Sequence, residues 1–116
     1  MVLFIKNNWP LLLIVSWFGY KFIKSKLIQR KLPELRQKGA TLIDVRSPGE
    51  FASANAPGSI NIPLQQLSER LSEIPTSQPV VVACASGTRS GMARMILKKK
   101  GYKEVYNIGN WANFLK

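Results

Sequence analysis

The sequence predicts an α/β protein in which an N-terminal transmembrane helix precedes a mostly parallel sheet with helices on both faces. Two observations predict the sheet. Short apolar runs alternate with stretches of helical spacing, which is typical of βαβ units. The run at residues 80–83 is apolar throughout, as expected for a parallel strand buried on both faces. A third observation, the uncharged apolar run at residues 9–20, predicts the transmembrane helix.

The apolar run at residues 9–20 is shorter than the roughly 20 residues that usually cross a bilayer. It spans only if Lys21 and Lys24 extend toward the headgroups, or if the helix includes residues 3–8. A core or in-plane helix and a cleaved signal peptide are the alternatives. No small-residue cleavage site follows the run, which argues against a signal peptide.

Charge predicts how the transmembrane helix is oriented. The net charge is +11, and basic residues are concentrated at 21–38, after the apolar run, whereas Lys6 alone precedes it. By the positive-inside rule, the predicted location is the cell inner membrane, single-pass, with the C-terminal domain on the cytoplasmic side. The basic residues would contact the headgroups of the lipid bilayer, or form a solvated helix face. Nucleic acid is not a predicted partner, because no nucleic-acid-binding motif accompanies the charge.

Proline predicts the domain boundary. Pro33 disfavours helix at Leu32 and is tolerated in the first turn of a new helix. We therefore predict a transmembrane helix with a basic juxtamembrane segment over residues 1–31, and a second domain over residues 33–116.

The remaining elements follow from hydrophobic spacing and from glycine and proline. Met92, Met95 and Ile96 have the spacing of a helix face that packs on the core. The predicted order is a strand at 41–45, a turn or short helix at 51–56, a strand at 59–62, a helix at 64–74, a strand at 80–83, a helix at 90–100, a strand at 103–106 and a terminal helix with Trp111 and Phe114.

Residue types limit the possible chemistry. The chain has 116 residues, one cysteine and no histidine. An intramolecular disulfide is therefore excluded, and neither a metal site nor a cofactor is predicted. Cys-His and Ser-His-Asp catalysis are excluded as well. If Cys84 is a nucleophile, its activation must come from its own loop and from nearby cations.

Cys84 ends the apolar strand, and a short loop closed by Arg89 leads into the next helix. Such a loop gathers backbone N–H groups at a helix N-terminus, where negative charge is favoured. Cys84 should therefore have a lowered pKa and react as a thiolate. Gly87 suits a backbone with positive φ. The alternative is a buried structural cysteine.

The segment Cys84-x-x-Gly87-x-Arg89-Ser90 resembles the active-site loop of the rhodanese sulfurtransferases. Related folds that hydrolyse phosphate esters have five residues between cysteine and arginine, whereas this chain has four. The smaller ring of N–H groups favours a terminal sulfur over a phosphate. The sequence departs from the family in having Asn55-Ala56 where Gly-His-Ile is usual. Three further segments resemble the family in its order, at residues 42–51, 56–63 and 101–111.

The resemblance implies sulfur transfer by double displacement. Cys84 would take sulfane sulfur from a small donor such as thiosulfate, and the resulting persulfide would pass it to a thiol or cyanide acceptor. Arg89 would attract an anionic donor or brace the loop through backbone carbonyls. A membrane-tethered binding or sulfur-relay module, with a relay protein as partner and little turnover of its own, is the alternative. The implied substrate-binding residues are Ala85, Ser86, Gly87, Thr88, Arg89 and Ser90, with Ser86 and Thr88 as possible side-chain donors to the sulfur or substrate.

Two charged residues follow the first strand of the predicted sheet. Asp44 is expected to be structural and to accept N–H groups of the following loop. Arg46 and Glu50 are four residues apart across a turn and are predicted to pair with each other. Attraction of anionic substrates is the alternative role for Arg46.

Overall fold

The computed structural model describes residues 2–116, with side chains from residue 8 onward. A four-stranded sheet forms the centre of this part of the chain, in the order β2-β1-β3-β4, and every neighbouring pair is parallel. The predicted α/β class and parallel sheet are therefore confirmed. The strands are β1 (Thr41–Asp44), β2 (Ile60–Asn61), β3 (Val80–Cys84) and β4 (Val105–Asn110).

Three α-helices and three 3₁₀ segments connect and cover these strands in the described chain. Where one helix was predicted at residues 64–74, the structure has two 3₁₀ segments. The leucines there recur mostly every third or fourth residue, a spacing that suits a 3₁₀ helix as well as an α-helix. The elements are α1 (Val2–Gln37), α2 (Pro48–Ser53), α3 (Thr88–Lys99) and the 3₁₀ segments Leu64–Glu69, Leu71–Glu73 and Trp111–Leu115.

Both faces of the sheet are covered by apolar side chains. On one face, α3 and the first 3₁₀ segments pack on the sheet through residues such as Leu67, Ala93 and Leu97. On the other face, the C-terminal part of α1 and the last 3₁₀ segment contribute Leu32 and Phe114. The strands are therefore buried on both sides, which explains the continuous apolar run of β3.

The helix end predicted at Leu32 is wrong, because α1 runs through Pro33 to Gln37. Proline inside a helix costs about 3 kcal/mol. Here Ile28, Leu32 and Leu35 are all buried against the sheet, and each such burial contributes roughly 1.5–3 kcal/mol. Packing of this helix face therefore outweighs the local preference of the proline, and the core already begins at Ile28.

The structure also corrects the predicted transmembrane helix. Within residues 2–116, no helix carries an apolar stretch of the length that a bilayer crossing requires. The physical reason is that lysines at positions 21, 24 and 26 interrupt α1 soon after its apolar run.

Met92 and Met95 do not pack in the core, contrary to prediction: their residues are 54% and 61% exposed. The buried face of α3 instead consists of Ser90, Ala93 and Leu97. Ile96 is partly buried and packs against the core, so the prediction is confirmed for this residue and wrong for the two methionines. Small residues at 90 and 93 let the helix lie close to the sheet, which leaves the two methionines outside.

Packing of α1 on the sheet is testable with a matched pair of substitutions on the same helix. Leu32 is 1% exposed and Leu27 is 52% exposed. We expect Leu32→Ala to lower the free energy of unfolding by about 2–5 kcal/mol, because it leaves a cavity in the core. Leu27→Ala should change it by less than about 1 kcal/mol. Equal urea midpoints for the two variants would contradict the packing of α1 described above.

Candidate active site

Cys84 lies at the carboxyl end of β3, where parallel α/β sheets commonly bind ligands, and it is fully buried. Its Sγ atom accepts a hydrogen bond from the backbone N–H of Gly87 at 2.9 Å. The hydroxyl of Ser90 lies 3.3 Å from the same sulfur and is placed to donate to it. The loop therefore folds back over the thiol and directs polar hydrogens at it.

Two opposing effects set the pKa of Cys84. Burial raises the pKa, because it penalises the thiolate. Hydrogen bonds from the Ser90 hydroxyl and from the backbone N–H groups of Ser90, Ser86 and Gly87 outweigh burial and hold the pKa below its ordinary value. The thiol is thus activated without histidine, as a nucleophile or sulfur carrier requires.

Glycine at position 87 makes the turn of the loop possible. Its φ is +97°, so the predicted positive φ is confirmed. Gly87 is also the residue before α3, and the helix therefore begins directly beside the sulfur. A Cβ atom at this position would lie 3.4 Å from the Cα atom of Gly109, an ordinary contact, so the positive φ and not a lack of space requires glycine.

Asn107 of β4 positions the loop, and the sequence analysis did not identify it. Its Nδ2 donates to the carbonyl of Gly87 at 3.0 Å, and its Oδ1 lies 2.7 Å from the Ser90 hydroxyl, whose single proton this oxygen therefore shares with Sγ. Asn110 donates to the carbonyl of Ala85 at 2.7 Å. The two asparagines thus hold both ends of the loop. Both asparagines lie beyond the strand predicted at residues 103–106, whereas the structure continues β4 to Asn110. The available signal was a pair of amide side chains directly after a predicted strand.

A register shift in β4 places these asparagines. Val82 pairs with Asn107, whereas Ala83 pairs with Gly109, so that Ile108 is the extra residue of a bulge. Helix α1 supports this bulge, because the hydroxyl of Ser25 donates to the carbonyl of Ile108 at 2.7 Å. The N-terminal helix is thereby connected to the strand that holds the candidate site.

Arg89 hydrogen-bonds Glu50 and not the loop carbonyls that one of its two predicted roles required, whereas attraction of an anionic donor stays a prediction. Its guanidinium forms a two-point ion pair with the carboxylate of Glu50, with N–O distances of 2.7 and 3.0 Å. The pKa of Glu50 is lowered to about 2, chiefly by the hydrogen bonds from Arg89 and then by the backbone N–H of Ser47. Arg89 therefore fixes the start of α3 to α2.

The predicted pairing of Arg46 with Glu50 is wrong for their side chains. Arg46 instead pairs with the buried Asp44, with an Nη2–Oδ2 distance of 2.7 Å. Asp44 also accepts the backbone N–H of Arg46, which agrees with its predicted role toward loop N–H groups. The guanidinium donates to the carbonyl of Ala54 and lies 4.6 Å from the centre of the Trp111 ring. These contacts occupy the guanidinium of Arg46, and we therefore assign it a structural role.

The side chains of the other predicted loop residues lie around the thiol, and the structure gives none of them a hydrogen bond to Sγ. Ala85, Ser86 and Thr88 are exposed. The hydroxyls of Ser86 and Thr88 lie 3.4 Å apart, and the structure gives neither a bond to the sulfur. The side chain that does reach the sulfur is that of Ser90, for which the sequence predicted substrate binding but no side-chain bond to the sulfur.

Fold and site together define a parallel α/β domain with a loop-activated cysteine at a strand end. Residues 29–115 match the model of the rhodanese-like domain, and the chain belongs to this family. The uncharacterized protein YqhL of Bacillus subtilis is 38% identical over 110 residues, covering 88% of this chain and 87% of YqhL. A sulfurtransferase of Allochromatium vinosum is 34% identical over 86 residues, covering 74% of this chain and 78% of that protein. The solved structure of a rhodanese with anions from E. coli superposes with a TM-score of 0.60 at 36% identity, covering 64% of this chain and 89% of that one.

The source of the low thiol pKa is testable with two serine substitutions in one loop. Ser90→Ala removes the side-chain donor at Sγ, so we expect the pKa of Cys84 to rise. Ser86→Ala keeps its backbone N–H and should leave this pKa unchanged. Thiolate absorbance followed against pH measures both. A Ser90→Ala thiol that titrates like the wild type would show that the hydroxyl does not stabilise the thiolate.

The ion pair between Glu50 and Arg89 predicts a dependence of stability on pH. Because the pKa of Glu50 falls from 4.5 to about 2 on folding, the pair stabilises the fold above about pH 4.5. This contribution is lost as the pH falls through 2. Glu50→Gln retains an acceptor for the N-terminal cap of α2 but loses the charge. We expect it to lower the urea midpoint at pH 7 and to match the wild type near pH 2.

The control for that experiment is Glu69→Gln, which removes a carboxylate from an exposed residue outside the ion pairs of the described chain. Its urea midpoint should follow that of the wild type at every pH. A difference between Glu50→Gln and wild type that persists unchanged at pH 2 would contradict the ion-pair assignment.

Proposed function

We propose that this protein is a sulfurtransferase that carries sulfane sulfur as a persulfide on Cys84. The observation that carries the proposal is the pair of donors at Sγ, the N–H of Gly87 at 2.9 Å and the hydroxyl of Ser90 at 3.3 Å. Membership of the rhodanese-like family and similarity to the Allochromatium vinosum sulfurtransferase support it.

In the first step, the thiolate of Cys84 attacks the outer sulfur of a donor such as thiosulfate. The new bond joins the two sulfur atoms, and sulfite leaves with the electron pair of the broken S–S bond. No outside oxidant or reductant is needed. The persulfide is anionic, and the N–H groups of Ser86, Gly87 and Ser90 are oriented to stabilise it, as an oxyanion hole stabilises oxygen.

In the second step, a nucleophilic acceptor removes the outer sulfur and regenerates the thiolate of Cys84. A thiol or cyanide is the proposed acceptor class. Cys84 is fully buried, so both reactants must pass the exposed loop residues Ala85, Ser86 and Thr88. Arg89 is held by Glu50, and we therefore assign it a bracing role and not direct capture of the donor.

Burial of the thiol also favours a second candidate function. A relay module would open its loop only when a partner protein docks, and would have little turnover with small molecules alone. Slow loading by thiosulfate combined with rapid loading by a protein persulfide would favour this alternative. In either case we propose a reducing compartment, which would keep the single cysteine free.

Sulfur transfer is testable by the mass of the intact protein. After incubation with thiosulfate, we expect a gain of about 32 Da, one sulfur atom, which dithiothreitol reverses. Cys84→Ser should gain no mass and should retain the wild-type circular dichroism spectrum. A folded wild-type chain that gains no sulfur from thiosulfate, from a polysulfide or from a protein persulfide would disprove the proposed function.

A further inference from the structure

A groove of about 630 Å³ lies beside the active-site loop. The loop contributes Ser86, Gly87 and Thr88 to its lining, and the helices α1 and α3 form its sides. This volume is in the range of sites for small molecules. The groove therefore reaches the loop that covers the sulfur, while Cys84 itself is not among its described lining residues.

The sides of the groove are apolar although they are exposed. Helix α1 contributes Trp17, Phe18 and Phe22, and α3 contributes Met92 and Met95. Each of these five side chains belongs to a residue that is more than half exposed. A contiguous exposed apolar surface commonly marks a binding site, and methionine adapts its shape to different ligands.

Positive charge accompanies this apolar surface. Lys21, Lys24 and Arg94 line the groove, and no acidic residue is among its described lining residues. None of the three cations belongs to an ion pair within the described chain. Each of them contacts a neutral group. The ammonium groups of Lys21 and Lys24 lie over aromatic rings, and Arg94 donates to a backbone carbonyl. An anionic group is the complementary ligand.

We propose that this groove binds the sulfur acceptor and selects thiols that combine an apolar body with an acidic group. The inference depends on the proposed function, since it identifies the acceptor class of the same site. Ser25 lies against the β4 bulge next to the loop. Phe18 lies earlier in α1, about 10 Å farther from the loop along the helix axis. The groove thus accommodates several methylene groups of an acceptor whose sulfur is at the loop.

The transfer step in this groove balances without a further reagent. The acceptor thiolate attacks the outer sulfur of the Cys84 persulfide, and a new S–S bond forms between them. The bond from that sulfur to Sγ breaks, and its electron pair leaves on Cys84 as thiolate. The acceptor departs as a persulfide, and Cys84 is ready for the next donor.

The experiment uses the full chain, loaded with sulfur from thiosulfate and then mixed with one of three thiols. Loss of the added sulfur mass with time gives a second-order rate constant. We expect 8-mercaptooctanoate to react about tenfold faster than 3-mercaptopropionate, because its additional methylene groups are partly buried. It should react about threefold faster than the neutral 8-mercaptooctanol, because of the cations.

Matched variants assign these preferences to the groove. Met92→Ser and Met95→Ser, which change exposed residues, should bring the long-to-short rate ratio close to one. Ile60→Ser changes an exposed apolar residue outside the groove and should retain the ratio. Lys24→Gln should lower the acid-to-alcohol ratio, whereas Lys99→Gln, at the end of α3, should not.

Outcomes of this experiment separate the inference from the proposed function. A chain that never acquires the sulfur overturns the proposed function and this inference together. A loaded chain that reacts equally fast with all three thiols overturns the inference alone. A long-chain preference that persists in both methionine variants also overturns it.

Discussion

The competition between burial and hydrogen bonding at Cys84 is the constraint on which the rest of the structure depends. Desolvation of the thiolate opposes ionisation, and each N–H or O–H aimed at the sulfur favours it. Such donors are effective only while they are held in place, because a displaced donor leaves the charge buried and unpaired. Much of the surrounding polar structure serves to hold the loop against Sγ.

The loop is held from two directions. From β4, Asn107 and Asn110 bind its carbonyls, and the bulge that positions them is fastened to α1 by Ser25. On the other side of the loop, Arg89 pairs with Glu50 of α2. Arg46 in turn donates to the carbonyl of Glu50 and to that of Ala54, which follows α2. Residues distant in sequence thus meet at one loop. Helix α1 belongs to this arrangement, since its C-terminal part packs on the sheet and its Ser25 supports the strand beside the thiol.

Local features of the sequence predicted the local features of the site. A strand that ends on a cysteine, a glycine in the loop and a following helix are contiguous, and the structure has them in that arrangement. The partners of charged side chains were not predictable in this way. Arg46 pairs with Asp44, two residues away, and not with Glu50, four residues away. Arg89 pairs with Glu50, from which it is separated by 39 positions of sequence. Such choices depend on how the elements pack, as does the continuation of α1 through Pro33, where tertiary burial outweighs local preference.

The distribution of charge around Cys84 suits a protein that must hold a sulfur atom and later release it. Groups that stabilise the persulfide and the transition state equally do not accelerate sulfur transfer. Groups that stabilise the persulfide more strongly would slow the release of its outer sulfur. Neutral dipoles hold the sulfur in this site, and the nearest arginine of the loop is compensated by Glu50. Lys21, Lys24 and Arg94 lie along the neighbouring groove, where they would attract the anionic acceptor that we propose. In that proposal, one set of groups holds the sulfur and another attracts its reaction partner, and a bound acceptor changes the balance only when its own thiolate reaches the loop.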